Sequence, residues 1–137
     1  YAHHVVHGTA SFETEPPDEA EMAARLSGVI AAGAPWLVAR DEDGAVIGYA
    51  YADQFRPREA YRYSCENSIY IRHDCRGRGI GKALLMALLG AARDLGFRQM
   101  IAGIAGSEPA SVALHARAGF AEVVESLLAA RQAPVRP

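Results

Sequence analysis

Apolar positions along the chain alternate between helical and extended spacing, and each change of period is bounded by Gly, Pro or Asp. Met22, Leu26, Val29 and Ile30 recur at intervals of three and four, the period of one helix face. Asp18 precedes this run with Glu21 three residues on, as in a capping box, so a helix is expected between Asp18 and a stop at Gly33. Trp36 to Ala39 reads as a short strand, Asp41 to Gly44 as a tight turn and Ala45 to Phe55 as the returning strand, which together make a β-hairpin. After Arg56-Pro57-Arg58 a further strand is expected over Tyr61 to Arg72. Its alternation sets Tyr61, Tyr63, Cys65, Asn67, Ile69 and Ile71 on one face, with Arg62, Ser64, Glu66, Ser68, Tyr70 and Arg72 on the other. Ile80, Ala83, Leu84, Ala87, Leu88, Ala91 and Leu95 then form a helical stripe that stops at Gly96. Gln99 to Ala105 reads as a strand. Ser107 or Glu108 opens a last helix, with Pro109 in its first turn and Gly119 at its end. Strands interleaved with helices predict an α/β or α+β domain.

Composition narrows the function classes. At 137 residues the chain fits one domain. Half of its residues are apolar and 22% are charged, too hydrophobic for a disordered segment. The 14 basic and 16 acidic residues leave a net charge of −2, which argues against a surface built to coat nucleic acid or anionic lipid. No apolar run reaches membrane-spanning length, and the start lacks the zones of a signal peptide, so a cytoplasmic location is expected. The sequence does not begin with Met and is expected to belong to a longer product. Cys65 and Cys75 are expected to be reduced thiols. His3 and His4 are adjacent while His73 and His115 stand far apart, so no metal site is expected.

The segment richest in chemistry is Arg72-His73-Asp74-Cys75-Arg76-Gly77-Arg78-Gly79-Ile80-Gly81-Lys82, between a strand and a strongly amphipathic helix. Glycines there let backbone N–H groups converge. The helix N-terminus adds partial positive charge, and Arg76, Arg78 and Lys82 add whole charges. The combination makes a cradle for a pyrophosphate. A Walker loop is excluded because Ala83, not Ser or Thr, follows Lys82. A dinucleotide fingerprint is excluded because Gly77, Gly79 and Gly81 are spaced by two throughout. What remains is R-x-x-G-x-G at Arg76, Gly79 and Gly81.

That run, IYIRHDCRGRGIGKALL, resembles the acetyl-CoA-binding motif of the GNAT N-acetyltransferase superfamily. FETEPP, FRPREAYRYSCENSIYI and SEPASVALHARAGF are similar to its phosphinothricin and methionine sulfoximine acetyltransferase branch. The resemblance implies the GNAT acyl-CoA N-acyltransferase fold over residues 1–124, a mixed central sheet with helices on both faces, and an atypical tail over 125–137. It implies acetyl-CoA as co-substrate and a small amino-acid-like amine as acceptor. Arg76, Gly77, Arg78, Gly79, Ile80, Gly81 and Lys82 would hold the pyrophosphate. The backbone of Ile69, Tyr70 and Ile71 would pair with the pantetheine arm, and an N–H there would polarise the thioester carbonyl.

Direct transfer needs a neutral amine, so a carboxylate that takes its proton is required. Glu66 matches the branch's E-[NDS]-[ST] segment and is the candidate base, with an exposed strand glutamate as the alternative. His115 stands where the branch has His, as an acid toward the leaving thiolate, a base toward the amine, or a helix-packing residue. Arg58, Tyr61 and Arg62 lie where the branch places substrate contacts, and an Arg fork suits a carboxylate or phosphinate. Phe12 is expected to wall the acceptor pocket.

The chain also departs from the branch. Glu108 stands where relatives carry an Asn that contacts the CoA arm, and a carboxylate cannot donate that amide hydrogen bond. The fold's first strand and its usual C-terminal strands have no counterpart here, and residues 122–131 read as helical instead. Strand edges exposed in this way favour a homodimer. The alternatives to an amino-acid acetyltransferase are a non-catalytic acyl-CoA-binding module, an inactive truncated fragment, or a protein or polyamine N-acetyltransferase.

Overall fold

The computed structural model describes residues 1–8, 11, 13–104 and 108–123. Its elements run α1 (Ala2–His7), α2 (Glu19–Ala31), β1 (Trp36–Arg40), β2 (Val46–Gln54), β3 (Ser64–Ile71), α3 (Ile80–Asp94), β4 (Gln99–Ala102) and α4 (Pro109–Arg117). The strands form one sheet in the order β1-β2-β3-β4, antiparallel at the first two junctions and parallel between β3 and β4. The parallel junction requires a crossover, and α3 supplies it.

The local signals act as their chemistry dictates. Asp18 caps α2, its Oδ1 accepting from the Glu21 N–H at 2.8 Å. The β1–β2 turn closes around Asp41 Oδ1, which accepts from the N–H groups of Asp43 and Ala45, with Gly44 at φ 83°. The core lies between α3 and one face of the sheet, where Ala50, Ala52 and Cys65 meet Leu84, Leu88 and Ala92. Gly48 of β2 leaves room for β3 beside it: a Cβ there would lie 2.8 Å from Ile71 Cδ1 and 3.1 Å from the Tyr70 carbonyl oxygen. The opposite face carries the stacked rings of Trp36, Tyr49 and Tyr51. Tyr70 lies on this face, edge-on to Tyr1 at 4.8 Å, and Arg25 of α2 sits over the Tyr1 ring. Helices therefore cover both faces, α3 on one and α1 with α2 on the other.

Besides β4, which ends at Ala102 short of the expected Ala105, three features differ from the sequence pattern. Glu59–Tyr61 forms a single 3₁₀ turn rather than the start of a strand, because β3 acquires a partner only from the Ser64–Gln99 pair onward. The buried stripe of α3 is Leu84, Leu85, Leu88 and Ala92. Leu95 is 54% exposed, since the helix ends at Asp94 and Leu95 falls at the cap. The third is α1, which the pattern does not announce. Two β-branched valines and three histidines make a poor helix in isolation, and α1 is held by burial of His4 and Val5. The expected helix over 122–131 lies outside the described residues except for 122 and 123, which carry no secondary structure.

Candidate active site

The site follows from where β3 and β4 part. Their pairing runs from Ser64–Gln99 to Asn67–Ala102, and β3 then continues alone to Ile71. The N–H and C=O of one strand residue point to the same edge. Ser64 accepts from Phe55 N, and Arg72 donates to the Ile47 carbonyl, so the even-numbered residues of β3 face β2. Ile69 and Ile71 therefore turn their backbone groups to the edge that β4 has left. A small cleft opens there, lined by Asn67, Ser68, Ile69, Tyr70, Gly103 and His115 among others.

Directly beyond Ile71 the chain makes a 3₁₀ turn over His73–Cys75 and enters α3 through Gly77 and Gly79, at φ 73° and 80°. Both glycines occupy the left-handed region that L side chains avoid. Gly79 is the N-cap of α3 and has no side chain to satisfy the first N–H groups, and the first turn carries no acid. Arg76, Arg78 and Lys82 are all exposed around it. At α2, by contrast, Asp18, Glu19 and Glu21 occupy the N-terminus. The start of α3 is thus left open to an anion. The remaining motif positions pack: Ile80 lies against the core, and a Cβ on Gly81 would lie 3.3 Å from Leu114, so Gly81 admits α4. Cys75 is buried beneath the loop, and burial pushes the Cys65 thiol up to about 11.

Glu66 is exposed on the face opposite α3, directly across from Asp53 of β2. Its carboxylate lies over Gly103 at the mouth of the cleft: a Cβ on Gly103 would meet Glu66 Oε1 at 2.8 Å. This exposure, the feature of the alternative reading as a strand glutamate, arises because β4 ends one residue after the Glu66–Ile101 pair.

His115 is 5% exposed and lies on the α3 side. Its Nδ1 is 2.8 Å from the Ser111 carbonyl, and its Nε2 is 3.1 Å from Asn67 Oδ1. A carbonyl only accepts, so Nδ1 carries the proton and Nε2 needs a donor. The Asn67 amide nitrogen is buried without a hydrogen-bond partner among the described residues. Turning the amide by 180° sets that nitrogen against Nε2 and satisfies both groups. Both ring nitrogens of His115 are therefore engaged.

The expected acceptor contacts are not at the cleft. Arg62 pairs with Glu59 at 3.3 Å and lies over the Tyr63 ring, Tyr61 packs edge-on to Phe55, and Arg58 is exposed. They precede β3, whereas the cleft lies at its far end. Phe12 and residues 105–107 lie outside the described residues. Glu108 is the N-cap residue of α4 and lines the cleft. Among the described residues no group of three or more His, Cys, Asp or Glu side chains is placed to hold a metal ion, and no helix is long and apolar enough to cross a membrane.

Two parallel strands that separate beside an uncapped, cation-flanked helix N-terminus define a domain built to hold an extended ligand with an anionic end. The chain belongs to the acetyltransferase (GNAT) family, whose pattern matches residues 4–120. It is 50% identical over 123 residues to a phosphinothricin N-acetyltransferase from Alcaligenes faecalis, covering 89% of this chain and 62% of that protein. It is 42% identical over 112 residues to an L-methionine sulfoximine/L-methionine sulfone acetyltransferase from Pseudomonas aeruginosa, covering 82% and 65%. Among solved structures, a GNAT superfamily phosphinothricin acetyltransferase from Sinorhizobium meliloti in complex with acetyl-CoA superposes with a TM-score of 0.86. That pair shares 55% identity and covers 88% of this chain and 65% of the other. The chain thus spans somewhat less than two thirds of the length of each of these relatives.

Proposed function

We propose that the chain moves an acetyl group from acetyl-CoA to the α-amine of a small amino-acid-like acceptor of the phosphinothricin, methionine sulfoximine or methionine sulfone type. The observation that carries this reading is the open edge of Ile69 and the Ile71 N–H running straight into the loop and uncapped start of α3. A ligand with amide groups in its arm and a diphosphate at its end matches both halves. The names of the relatives support the acceptor class.

Acetyl-CoA, when bound, supplies an acyl thioester. The chain's own groups do the rest. Arg76, Arg78 and Lys82, with the first N–H groups of α3, neutralise the diphosphate. Backbone groups of Ile69 and Ile71 hold the arm, and an N–H there polarises the thioester carbonyl as charge develops on its oxygen. Glu66 takes a proton from the acceptor ammonium, directly or through water, and frees its lone pair. The new C–N bond forms as the C–S bond breaks, the thiolate leaves with the electron pair, and the second proton on the acylated nitrogen passes to that thiolate, directly or through water. His115 holds Asn67 and thereby fixes α4 against β3. With Nε2 bare, it can pass a proton to the sulfur only after leaving the Asn67 amide and first taking that proton itself. Tyr61 and Arg62 would reach the acceptor only by leaving Phe55 and Glu59, and Arg58 is exposed on the same segment.

The protein is read as a cytosolic enzyme acting as a homodimer. Among the described residues β1 and β4 each have one edge without a strand partner, which supports pairing with a second copy. Thermal unfolding with and without acetyl-CoA tests the reading. A ligand at about a hundred times its Kd adds roughly 2.7 kcal/mol to stability. A clear rise in Tm is expected, and a cooperative transition that acetyl-CoA leaves unmoved refutes the cofactor assignment.

A further inference from the structure

None of the roles above uses α1, yet this short helix contacts both ends of the cofactor loop. His4 is 6% exposed although its neighbour His3 lies at the surface. Its Nε2 is 2.8 Å from the carbonyl oxygen of Ile71, and its Nδ1 is 3.2 Å from Nη2 of Arg76. A carbonyl only accepts and a guanidinium only donates, so the two contacts select one tautomer, protonated at Nε2 and bare at Nδ1. Ile71 is the last residue of β3 and Arg76 the first residue after the 3₁₀ turn. One imidazole therefore spans the whole turn. The His3 ring stacks on His73 of the same turn at 4.0 Å, a second tie from α1.

We propose that His4 is a positioning residue for the cofactor loop: it holds the Ile71 carbonyl and the Arg76 guanidinium together and so presets residues 72–76 for the diphosphate of the acyl donor. The proposal rests on the assignment of that loop to acetyl-CoA. Its physical basis is preorganisation. An arginine on an exposed glycine-rich loop loses rotamer freedom when it closes on an anion, and one already tethered loses less. The tether requires a neutral ring. Burial is the main influence against protonation, aided by Arg76, while the Ile71 carbonyl and Glu108 act in the opposite sense. His3 and Tyr70 complete its ring neighbours.

The test compares the wild-type chain with His4→Ala, His4→Gln, Arg76→Ala and the His4→Ala/Arg76→Ala pair. Acetyl-CoA Kd is measured by calorimetry, and kcat and KM by thiol release. Glutamine can donate to Ile71 from its amide nitrogen and accept from Arg76 at its oxygen. His4→Ala is expected to raise Kd and the KM for acetyl-CoA about tenfold with kcat within twofold. Glutamine should restore Kd to within threefold, and the double variant should bind no worse than Arg76→Ala alone. A folded His4→Ala chain that binds within twofold of wild type overturns the proposal, as do fully additive losses in the double variant. If the alanine variant does not fold, His4→Gln decides: binding within threefold of wild type supports the tether, and a tenfold loss overturns it. A wild-type chain that binds no acetyl-CoA refutes the loop assignment itself, and the proposal with it.

Discussion

Glu66 and His115 lie on opposite faces of β3, and the cleft left by β4 opens between them. The alternation of an extended strand imposes this: Glu66 shares its face with Ser68 and Tyr70, while Asn67, which receives His115, points toward α3. Two groups so placed cannot both take a proton from the same amine. On the proposed reading Glu66 serves the acceptor side and His115 the side of the acyl donor.

For Glu66 the expected consequence is selective. Glu66→Gln removes the base but keeps size and exposure, so turnover should fall by about 10²–10⁴-fold while acetyl-CoA Kd stays within twofold. Steady-state kinetics and calorimetry on the same preparation check this, and equal losses in both would remove the catalytic role.

Gly103 sets where that carboxylate rests. The Cβ of Gly103→Ala would lie 2.8 Å from Glu66 Oε1, so the flexible carboxylate must move. A displaced base lowers kcat by roughly tenfold, with little change in the urea midpoint because no backbone is strained. In a Glu66→Gln background the same substitution should add less than twofold. An equal drop in both backgrounds would show that Gly103 matters for another reason.

His115→Ala should destabilise the fold by about 2–4 kcal/mol, because it removes a buried ring packed edge-on to Phe120 and leaves Asn67 unpaired. A double-mutant cycle with Asn67→Ala, read from urea unfolding, should give a coupling of about 1–2 kcal/mol. Additive single effects would mean that the two side chains do not share the bond drawn here.

His4 makes stability pH-dependent. Burial lowers its pKa below the ordinary 6.5 in the folded chain. As pH falls through 6.5 the unfolded chain gains a proton there that the folded chain refuses. The unfolded state then binds more protons, so stability declines from pH 6.5 downward until the folded pKa is reached. Tm should drop more between pH 7.5 and 5.5 for wild type than for His4→Gln, which has no proton to gain. Parallel drops would contradict a neutral His4.

Much of this site can be read from the order of residues. The spacing of Arg76, Gly79 and Gly81 between a strand and an amphipathic helix already marks an anion-binding turn, and in the structure Gly77 and Gly79 of that turn take positive φ. The alternation of β3 correctly separates Glu66 from Asn67 because period two survives any shift in strand ends. Other features depend on tertiary partners. The length of β4, and hence the cleft, depends on where it leaves β3, which no local pattern encodes. The burial of His4 depends on Ile71 and Arg76, 67 and 72 positions away in sequence. A histidine in a six-residue helix of low propensity carries no local sign of that role.

The most direct test of the account is thiol release from acetyl-CoA by this chain, measured with and without methionine sulfone, methionine sulfoximine or phosphinothricin as acceptor. The account predicts release that depends on the amine, saturates with both substrates and falls by at least a hundredfold in Glu66→Gln. Acetyl-CoA binding with no amine-dependent release from any of the three would contradict it and leave a domain that holds the acyl donor without using it.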